Sequence, residues 1–275
     1  MDYPRRIVCL TEETTEALYL LGEQERIAGI SGFTRRPPQA RREKPKVSAY
    51  LSANYERIAA LAPDLVLAFS DLQADIAAEL ARRGYNVVVF NQRSVEEIFA
   101  MLLTLARLVG REARGLELIA ELRAHLAAIA ASAARLPFRP RVFFEEWPDP
   151  LIAGIQWVEE LIAIAGGEPL FPAGPEQAAA KARVVTAEEV AARRPQAIVA
   201  SWCGRKVHKD LIRGRAGWSE LEAVAHGHIY EINSTYILQP GPAALTEGVR
   251  QLHAIIARVA GAAAPPELAP EERWG

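Results

Sequence analysis

Apolar residues recur at spacings of three and four through residues 113–136 of the chain. The stripe comprises Leu116, Ile119, Leu122, Leu126, Ile129 and Leu136. This spacing is typical of one face of a long amphipathic helix. At about 1.5 Å per residue, such a helix reaches roughly 36 Å, enough to run along a small domain. The pattern therefore predicts a spacer helix.

The segments on either side of this predicted helix share one pattern. Each has a helix-capping residue, a glutamate two positions later, a short helical stretch, a proline and an apolar strand. The residues concerned are Asn54, Glu56 and Pro63 in the first copy and Thr186, Glu188 and Pro195 in the second. Asn54 and Thr186 are predicted N-caps, and Glu189 completes a capping box with Thr186. Each glutamate then lies in a first helical turn, where the helix dipole stabilises a carboxylate.

Strands and helices alternate in both copies, which predicts parallel sheets and an α/β fold. We expect two Rossmann-like lobes with central parallel sheets, one long spacer helix joining them, and a ligand cleft between the lobes. The expected bounds are 1–112 for the N-terminal lobe, 113–136 for the spacer helix, 137–260 for the C-terminal lobe and 261–275 for a mobile tail. The proline- and arginine-rich stretch 31–54 and residues 147–157 are expected to be loops.

Length and charge limit the classes of function. The 275 residues are half apolar, enough for one large core or two modest ones. The formal charge of −2 argues against a nucleic-acid partner. No apolar run approaches the span of a bilayer, and the first residues lack the pattern of a secretory signal. We expect a cytoplasmic monomer, or a periplasmic or cell-surface protein if an export signal has been removed.

The sequence carries no recognisable metal or catalytic motif. Cys9 is expected to be a buried free thiol and Cys203 an exposed one, and their spacing forms no metal motif. The pair His226 and His228 has no third ligand nearby. Nucleophile-elbow, Walker and dinucleotide-binding patterns are absent from the sequence. We therefore expect no metal site, no cofactor and no catalytic residue.

Aromatic residues instead accumulate at loop positions. The set comprises Phe33, Tyr50, Trp147, Trp202, Trp218 and Tyr236. Several follow predicted strands, and open parallel sheets bind ligands at the carboxyl ends of their strands. Rigid rings provide apolar contact area at low entropic cost, which suits a large flat ligand. Thr14, after the first strand, is a candidate hydroxyl for the same site. The alternative is that these residues are helix-capping or core residues.

Several motifs together resemble a known family. They are PPQA at 37–40, Asn54-x-Glu56-Arg-Ile, Pro63-Asp-Leu-Val, EEWPDPLIAG at 145–154, Gly217-Trp218 and Pro240-Gly-Pro242. With the long central helix, they resemble the cobalamin-binding proteins among the class III, helical-backbone substrate-binding proteins of ABC importers. The resemblance extends to about Val259.

This resemblance implies a non-enzymatic protein that captures a corrinoid between its lobes and delivers it to an importer. Tyr50 and Phe33 match ring-facing aromatic positions, although the family has a tyrosine where this chain has Phe33. Glu56 and Glu188 match the glutamates that engage arginines of the permease. Because a corrinoid carries amides around its ring, residues such as Arg205 and Ser234 are expected to hold its periphery.

Other functions stay open at this point. The chain could be a cytoplasmic corrinoid carrier or sensor without a permease, and Glu56 and Glu188 would then only support their helices. It could bind another metal chelate, such as a siderophore or haem. An enzyme in the same cleft would require an acid or base, which Glu145, Glu146 or Asp149 could supply.

Overall fold

The structure is a computed structural model that describes residues 3–271. The chain divides into two compact units. Unit 1 comprises the residues up to Gln92, Glu96–Glu121 and Gly241–Ala243, and unit 2 comprises Arg93–Val95, Leu122–Pro240 and the residues from Ala244 onwards. Each unit has its own sheet built mainly of parallel strands. The predicted fold class, α/β with two parallel-rich sheets, is confirmed.

Unit 1 is built on a six-stranded sheet with strand order β4-β3-β2-β1-β5-β6. Its strands are β1 Ile7–Cys9, β2 Ile27–Ser31, β3 Lys46–Ala49, β4 Ser52–Ala53, β5 Leu65–Phe69 and β6 Val87–Phe90. All neighbours pair in parallel except β4, which runs antiparallel to β3. Strands β1 and β5 are buried along their whole length, as expected for central strands covered on both faces.

Helices cover this sheet. They are α1 Glu12–Leu20, α2 Pro38–Glu43, α3 Tyr55–Ala60, α4 Ala74–Arg82, α5 Val95–Leu108 and the first half of α6, Glu112–Ala133, with 3-10 turns at Gln24–Arg26 and Asp71–Gln73. One core cluster joins Val8 and Val66 of the sheet, and Leu10 just after β1, to Ile58 of α3 and Leu80 of α4. The apolar faces of α3 and α4 are therefore buried against the sheet.

Unit 2 has a sheet of order β11-β10-β7-β8, with β9 paired to β7. Its strands are β7 Arg141–Pro148, β8 Leu151–Ala153, β9 Glu168–Pro169, β10 Ala197–Ala200 and β11 Ile229–Glu231. Its helices are α7 Gln156–Ile164, α8 Ala187–Ala192, α9 Lys209–Arg213, α10 Glu222–Ala225, α11 Ser234–Ile237 and α12 Val249–Val259, with a π turn at Ala244–Gly248 and 3-10 turns at Pro175–Gln177, Ala180–Arg183 and Pro266–Leu268.

The predicted long helix exists but presents a different stripe at its start. Helix α6 has 22 residues and ends at Ala133, before the proline-rich segment but short of Leu136, the last residue of the predicted helix. Leu122, Leu126 and Ile129 are buried as predicted, whereas Leu116 is 51% exposed. Gly115 and Leu118 take the inward positions, because the glycine allows Ala106 of α5 to approach closely. That α6 acts as a rigid spacer stays a prediction.

Two stretches predicted as loops contain regular structure. Pro38 starts α2 at a position where its missing N–H costs nothing, and β3 follows two residues after that helix. In β3 only Val47 is fully buried, so the pattern was too short to indicate a strand; pairing with β2 supplies its hydrogen bonds. Likewise Trp147 lies within β7, which turns back into the antiparallel β8.

The repeated sequence pattern is also a repeated structure. Helices α3 and α8 have six residues each, Asn54 caps the first, and Thr186 and Glu189 form the predicted capping box on the second. Each helix is followed by a residue in the left-handed region, Ala62 (φ 42°) or Arg194 (φ 51°), and then by proline. These backbone features confirm that the two segments share one local fold.

The residue after that proline also has the same role in both units. Asp64 accepts hydrogen bonds from the N–H groups of Arg5 and Arg6 at 2.7 and 3.0 Å. Gln196 accepts one from the Arg141 N–H at 3.1 Å. Each side chain thereby satisfies the backbone at the start of the neighbouring strand, β1 or β7.

Part of the predicted tail is packed on unit 2. Leu268 is 7% exposed, Arg250 pairs with Glu271 at 3.1 Å, and the Glu271 N–H donates to Glu247 at 2.9 Å. The last residues of that tail, 272–275, lie outside the described residues. Within the described part of the chain, no helix is both long and apolar enough to span a bilayer.

Candidate functional site

The carboxyl ends of the unit 1 strands carry exposed apolar side chains. Phe33, after β2, is 56% exposed; Leu51, after β3, is 68% exposed; and Leu72, after β5, is 55% exposed. Tyr50, beside Leu51, is partly buried. We call these four residues the apolar edge. Exposed apolar groups gathered at the ligand-binding side of a parallel sheet are typical of a binding surface.

Sequence reasoning identified Phe33 and Tyr50 but missed Leu51 and Leu72. Leu51 lies in the turn between β3 and β4, and Leu72 lies in the 3-10 turn after β5; a lone leucine in such a short polar segment gives no periodic signal. Their exposure is a property of the folded chain. A strand end followed by an isolated large apolar residue is the pattern that could have indicated them.

Thr14 lies in a different environment, the buried first turn of α1. Its side chain is fully buried, and its hydroxyl donates to the Thr11 carbonyl at 3.4 Å. The Thr11 hydroxyl donates to Glu13 at 2.5 Å, although Thr11 makes no side-chain cap bond to the helix. Thr14 is therefore packed in the first turn of α1, and its contact with a ligand stays a prediction.

Three carboxyl groups are buried beside Thr14. Burial raises the pKa of Glu12 to about 8 and that of Glu13 to about 7, because removing water disfavours the charged form. Burial also raises the pKa of Glu16, against the opposing charge of Arg36 at 2.9 Å. The second oxygen of Glu16 accepts the Ala243 N–H at 3.0 Å. The Arg36 guanidinium and the Ala243 N–H thus both bind Glu16 and help to fix this acidic turn.

The carboxyl ends of the unit 2 strands combine aromatic and basic groups. Trp147, near the end of β7, is partly buried, and its indole N–H donates to the Asp149 carbonyl at 3.0 Å. The guanidinium of Arg205, after β10, lies 5.3 Å from the Trp147 ring centroid, in cation–π range. Arg205 and Lys206 are exposed, and Ser234, three residues after β11, is partly exposed. We call Trp147, Arg205 and Ser234 the basic aromatic edge.

Three other predicted aromatic residues lie in the interior of unit 2. The Trp202 indole N–H lies 3.1 Å from Glu145, and the Trp218 indole N–H donates to the Ala187 carbonyl at 3.0 Å. Trp218 packs edge-on against Phe143 at 6.1 Å between ring centroids. Tyr236 is also buried. Trp202 and Trp218 belong to the core cluster of unit 2, so the structure gives these rings a packing role.

Of the three acids that could have supported an enzyme, Glu145 and Glu146 are held in ion pairs, and Asp149 is exposed. Glu145 is fully buried and binds Arg215, with one contact at 2.9 Å. Glu146 binds Arg183 through two contacts of 2.5 and 3.0 Å. Glu145 is buried and Glu146 is partly buried, and carboxylates paired with arginines in this way are typical of structural networks.

The two repeated glutamates both lie on the surface. The Glu56 side chain is 87% exposed and contacts Arg83 at 3.2 Å, and the Arg83 guanidinium lies 4.6 Å from the Tyr55 ring. Glu188 is exposed at the equivalent position of α8. A groove of about 510 Å³ beside Glu56 is lined by Lys46, Ser48 and other residues of β3, β4 and α3.

Metal-binding residues do not gather in the described part of the chain. Within residues 3–271, no group of three or more His, Cys, Asp or Glu side chains could hold a metal ion. The His226 and His228 rings are 6.0 Å apart. Cys9 is buried and Cys203 exposed, and neither forms a disulfide, as predicted.

A parallel-sheet protein with exposed rings at the carboxyl ends of its strands belongs to the class of α/β ligand-binding proteins. The chain belongs to the periplasmic binding protein family, whose family model matches residues 7–236.

Individual relatives support this assignment. A vitamin B12-binding protein of Vibrio vulnificus is 28% identical over 247 residues, covering 87% of this chain and 86% of the relative. The periplasmic heme-binding protein RhuT from Roseiflexus has a TM-score of 0.79 at 22% identity, covering 93% of this chain and 99% of that one. The periplasmic vitamin B12 binding protein BtuF of Vibrio cholerae has a TM-score of 0.72 at 22% identity, covering 94% and 98%.

The periplasmic binding protein family gives no support to the cytoplasmic location expected from the first residues. That expectation rested on the absence of a signal pattern, which is weak evidence because exported proteins lose their signals.

Proposed function

We propose that this protein is the substrate-binding protein of an ABC importer and that its ligand is a corrinoid, cobalamin or a precursor. The single observation that carries the proposal is the exposure of rings and leucines at the carboxyl ends of the strands in a chain 28% identical to a vitamin B12-binding protein. The protein needs no cofactor in this role and performs no chemistry. We place it outside the cytoplasm, in the periplasm or at the cell surface.

The two edges contribute different chemistry to the proposed binding. Phe33 and Tyr50 of the apolar edge provide flat surface for the ring system, and Trp147 of the basic aromatic edge provides another. Arg205 and Ser234 provide donors for the amide carbonyls around a corrinoid. Trp202, Trp218 and Tyr236 support the basic aromatic edge from within the core of unit 2.

A second candidate ligand is haem, which the exposed cations Arg205 and Lys206 favour. Haem carries two carboxylates on one edge of a flat ring, and a guanidinium binds a carboxylate more strongly than it binds a neutral amide. Corrinoids carry mainly amides there. The two ligands therefore differ in how much binding depends on the charge of Arg205.

We also propose that Glu56 and Glu188 dock the protein on the permease. Both are exposed, and they occupy equivalent positions on α3 and α8. Surface carboxylates at matching positions of two similar folds provide two anchoring points for basic groups of a partner.

Titration with cyanocobalamin and with haemin tests the ligand. We expect binding of cyanocobalamin at micromolar concentration or below, and at least tenfold weaker binding after Phe33→Ala or Trp147→Ala, since each loses a stacking surface. Phe138→Ala is the matched control, because Phe138 is similarly exposed but precedes β7.

Three outcomes would contradict parts of the proposal. Binding of haemin alone, weakened by Arg205→Gln, would replace the corrinoid proposal with the haem one. Equal loss in the Phe138→Ala control would show that the edge aromatic residues have no special role. Binding of neither compound at tens of micromolar would contradict both ligands.

A further inference from the structure

The turn after β5 has an unusual backbone conformation. Ser70 has φ 60° and ψ 176°, a region populated almost only by glycine. A residue with a side chain there costs on the order of 1–3 kcal/mol. The turn is held by the Ser70 N–H, which donates to the Phe90 carbonyl at 2.7 Å, and by the Ser70 hydroxyl oxygen, which accepts the Leu72 N–H at 3.2 Å. Such strain is concentrated at functional sites.

The turn places two successive side chains in opposite environments. Leu72 is exposed, as part of the apolar edge, whereas Gln73 is fully buried. A buried amide requires partners for both of its ends. The Gln73 carbonyl oxygen accepts the Phe69 N–H at 3.0 Å, and its amino group donates to the Tyr50 carbonyl at 2.9 Å and to the Leu10 carbonyl at 3.4 Å.

These partners lie at or just after the carboxyl ends of three different strands. Phe69 ends β5, Tyr50 follows β3 and Leu10 follows β1, and in the sheet order β1 and β2 lie between β3 and β5. One side chain therefore joins the loop after β3 to β1 and β5, two strands that pair with each other but not with β3. Through the Tyr50 carbonyl it fixes the segment that carries Tyr50 and Leu51 relative to the turn that carries Leu72.

We propose that Gln73 is a positioning residue that holds Tyr50, Leu51 and Leu72 as one rigid contact surface. The nature of the ligand, a large flat macrocycle, rests on the proposed function. Leu51 and Leu72 adjoin the two residues of the Gln73–Tyr50 hydrogen bond, and both are exposed. Gln73 does not touch the ligand; it reduces the conformational freedom that the surface loses on binding.

Two variants of Gln73 separate its hydrogen bonds. Gln73→Met keeps the length and removes every polar contact, whereas Gln73→Glu keeps an acceptor for the Phe69 N–H but, when ionised, has no donor for the Tyr50 carbonyl. Gln251→Met is the matched control, since Gln251 is buried in unit 2 and donates to Glu247 at 2.8 Å. If Gln73→Met does not fold, Gln73→Glu carries the same test.

Hydrogen exchange tests the positioning role without any ligand. We expect amides in residues 50–54 to exchange at least tenfold faster in Gln73→Met and in Gln73→Glu than in the wild type, because the hydrogen bond from Gln73 to the Tyr50 carbonyl is lost. Gln251→Met should leave these amides unchanged. Exchange of residues 50–54 at the wild-type rate in both Gln73 variants would overturn the inference.

Binding of cyanocobalamin tests the consequence for the ligand. We expect Gln73→Met to weaken binding about tenfold, mainly through faster dissociation, and Leu72→Ala to weaken it by a similar factor. The double variant should lose less than the product of the two factors, since both changes act through one surface. If the loss of affinity in the double variant equals the product of the two single losses, the inference is overturned. If the wild type binds no macrocycle, the proposed function fails, and the exchange measurement still decides the role of Gln73.

Discussion

At the scale of single residues, burial of carboxyl groups determines how the first turn of α1 responds to pH. Glu12 is 5% exposed, and its pKa is raised from 4.5 to about 8, chiefly by loss of hydration. In the unfolded chain the same group titrates near its ordinary value. Between these two values the folded state holds a proton that the unfolded state has lost, so stability falls as pH rises from about 5 to about 8.

Replacing this acid should remove part of the pH dependence. We expect Glu12→Gln to gain stability relative to the wild type as pH rises, by a few kcal/mol at pH 9, because the amide never ionises. The measurement is urea unfolding from pH 5 to pH 9. Glu25→Gln, at an exposed position of unit 1, is the control and should follow the wild-type curve. Parallel curves for Glu12→Gln and the wild type would contradict the shifted pKa.

Ser70 gives a second prediction at this scale. Ser70→Gly removes the steric strain and the hydroxyl contact to Leu72, whereas Ser70→Ala removes the contact and keeps the strain. We therefore expect the glycine variant to be more stable than the alanine variant by about 1–2 kcal/mol, opposite to the usual order of these residues. Thermal unfolding of the two variants checks this, and a more stable alanine variant would exclude the strained conformation.

Among single residues, the chemistry of a side chain indicated its role only where the role is local. Asn54 and Thr186 were identifiable as caps because capping involves residues three positions away. Trp202 and Trp218 could not be separated from Trp147 by sequence, because what distinguishes them is the core cluster built from distant strands and helices.

At the scale of elements, the position of Gly115 sets the packing of α5 and α6. A methyl group on Gly115 would collide with the Ala106 side chain. The helical periodicity predicted the element correctly, but it assigned Leu116 to the buried face. Periodicity identifies an apolar stripe, whereas the partner helix decides which neighbouring positions face inward.

Gly115→Ala tests this contact. Alanine favours a helix over glycine by about 1 kcal/mol, yet we expect a net loss of about 1–2 kcal/mol because the helices must move apart. The exchange variant Gly115→Ala with Ala106→Gly should recover part of the loss, since the methyl group then sits on the other helix. Denaturant unfolding measures both. A stabilised Gly115→Ala variant would show that the contact is not tight.

The strand β3 shows why some elements escaped prediction. Four residues with a single fully buried side chain carry too little pattern to predict a strand, and the flanking charges favoured a loop. Its hydrogen-bond partners lie on β2 and β4. Short strands of this kind are stabilised by the sheet they join, so their own sequence need not specify them.

At the scale of the whole molecule, replacing the two repeated glutamates tests delivery to the permease independently of ligand binding. We expect the double variant Glu56→Ala and Glu188→Ala to bind cyanocobalamin like the wild type but to fail in uptake by cells that depend on this protein, because both residues are exposed and belong to neither edge. Replacing Glu117 and Glu121, exposed on α6, provides the control. Normal uptake with the double variant would instead favour a corrinoid carrier that meets no permease.

The sequence by itself determined the α/β class, the long helix, the repeated pattern of cap, glutamate and proline, and the family resemblance. Each of these depends on the spacing of residues within single elements or short motifs. Only the tertiary structure decided which rings are buried, which leucines are exposed, and that Gln73 joins the carboxyl ends of β1, β3 and β5. The physical reason is that burial and hydrogen-bond partners depend on residues brought together from distant parts of the chain. The local sequence pattern does not specify which distant residues these are.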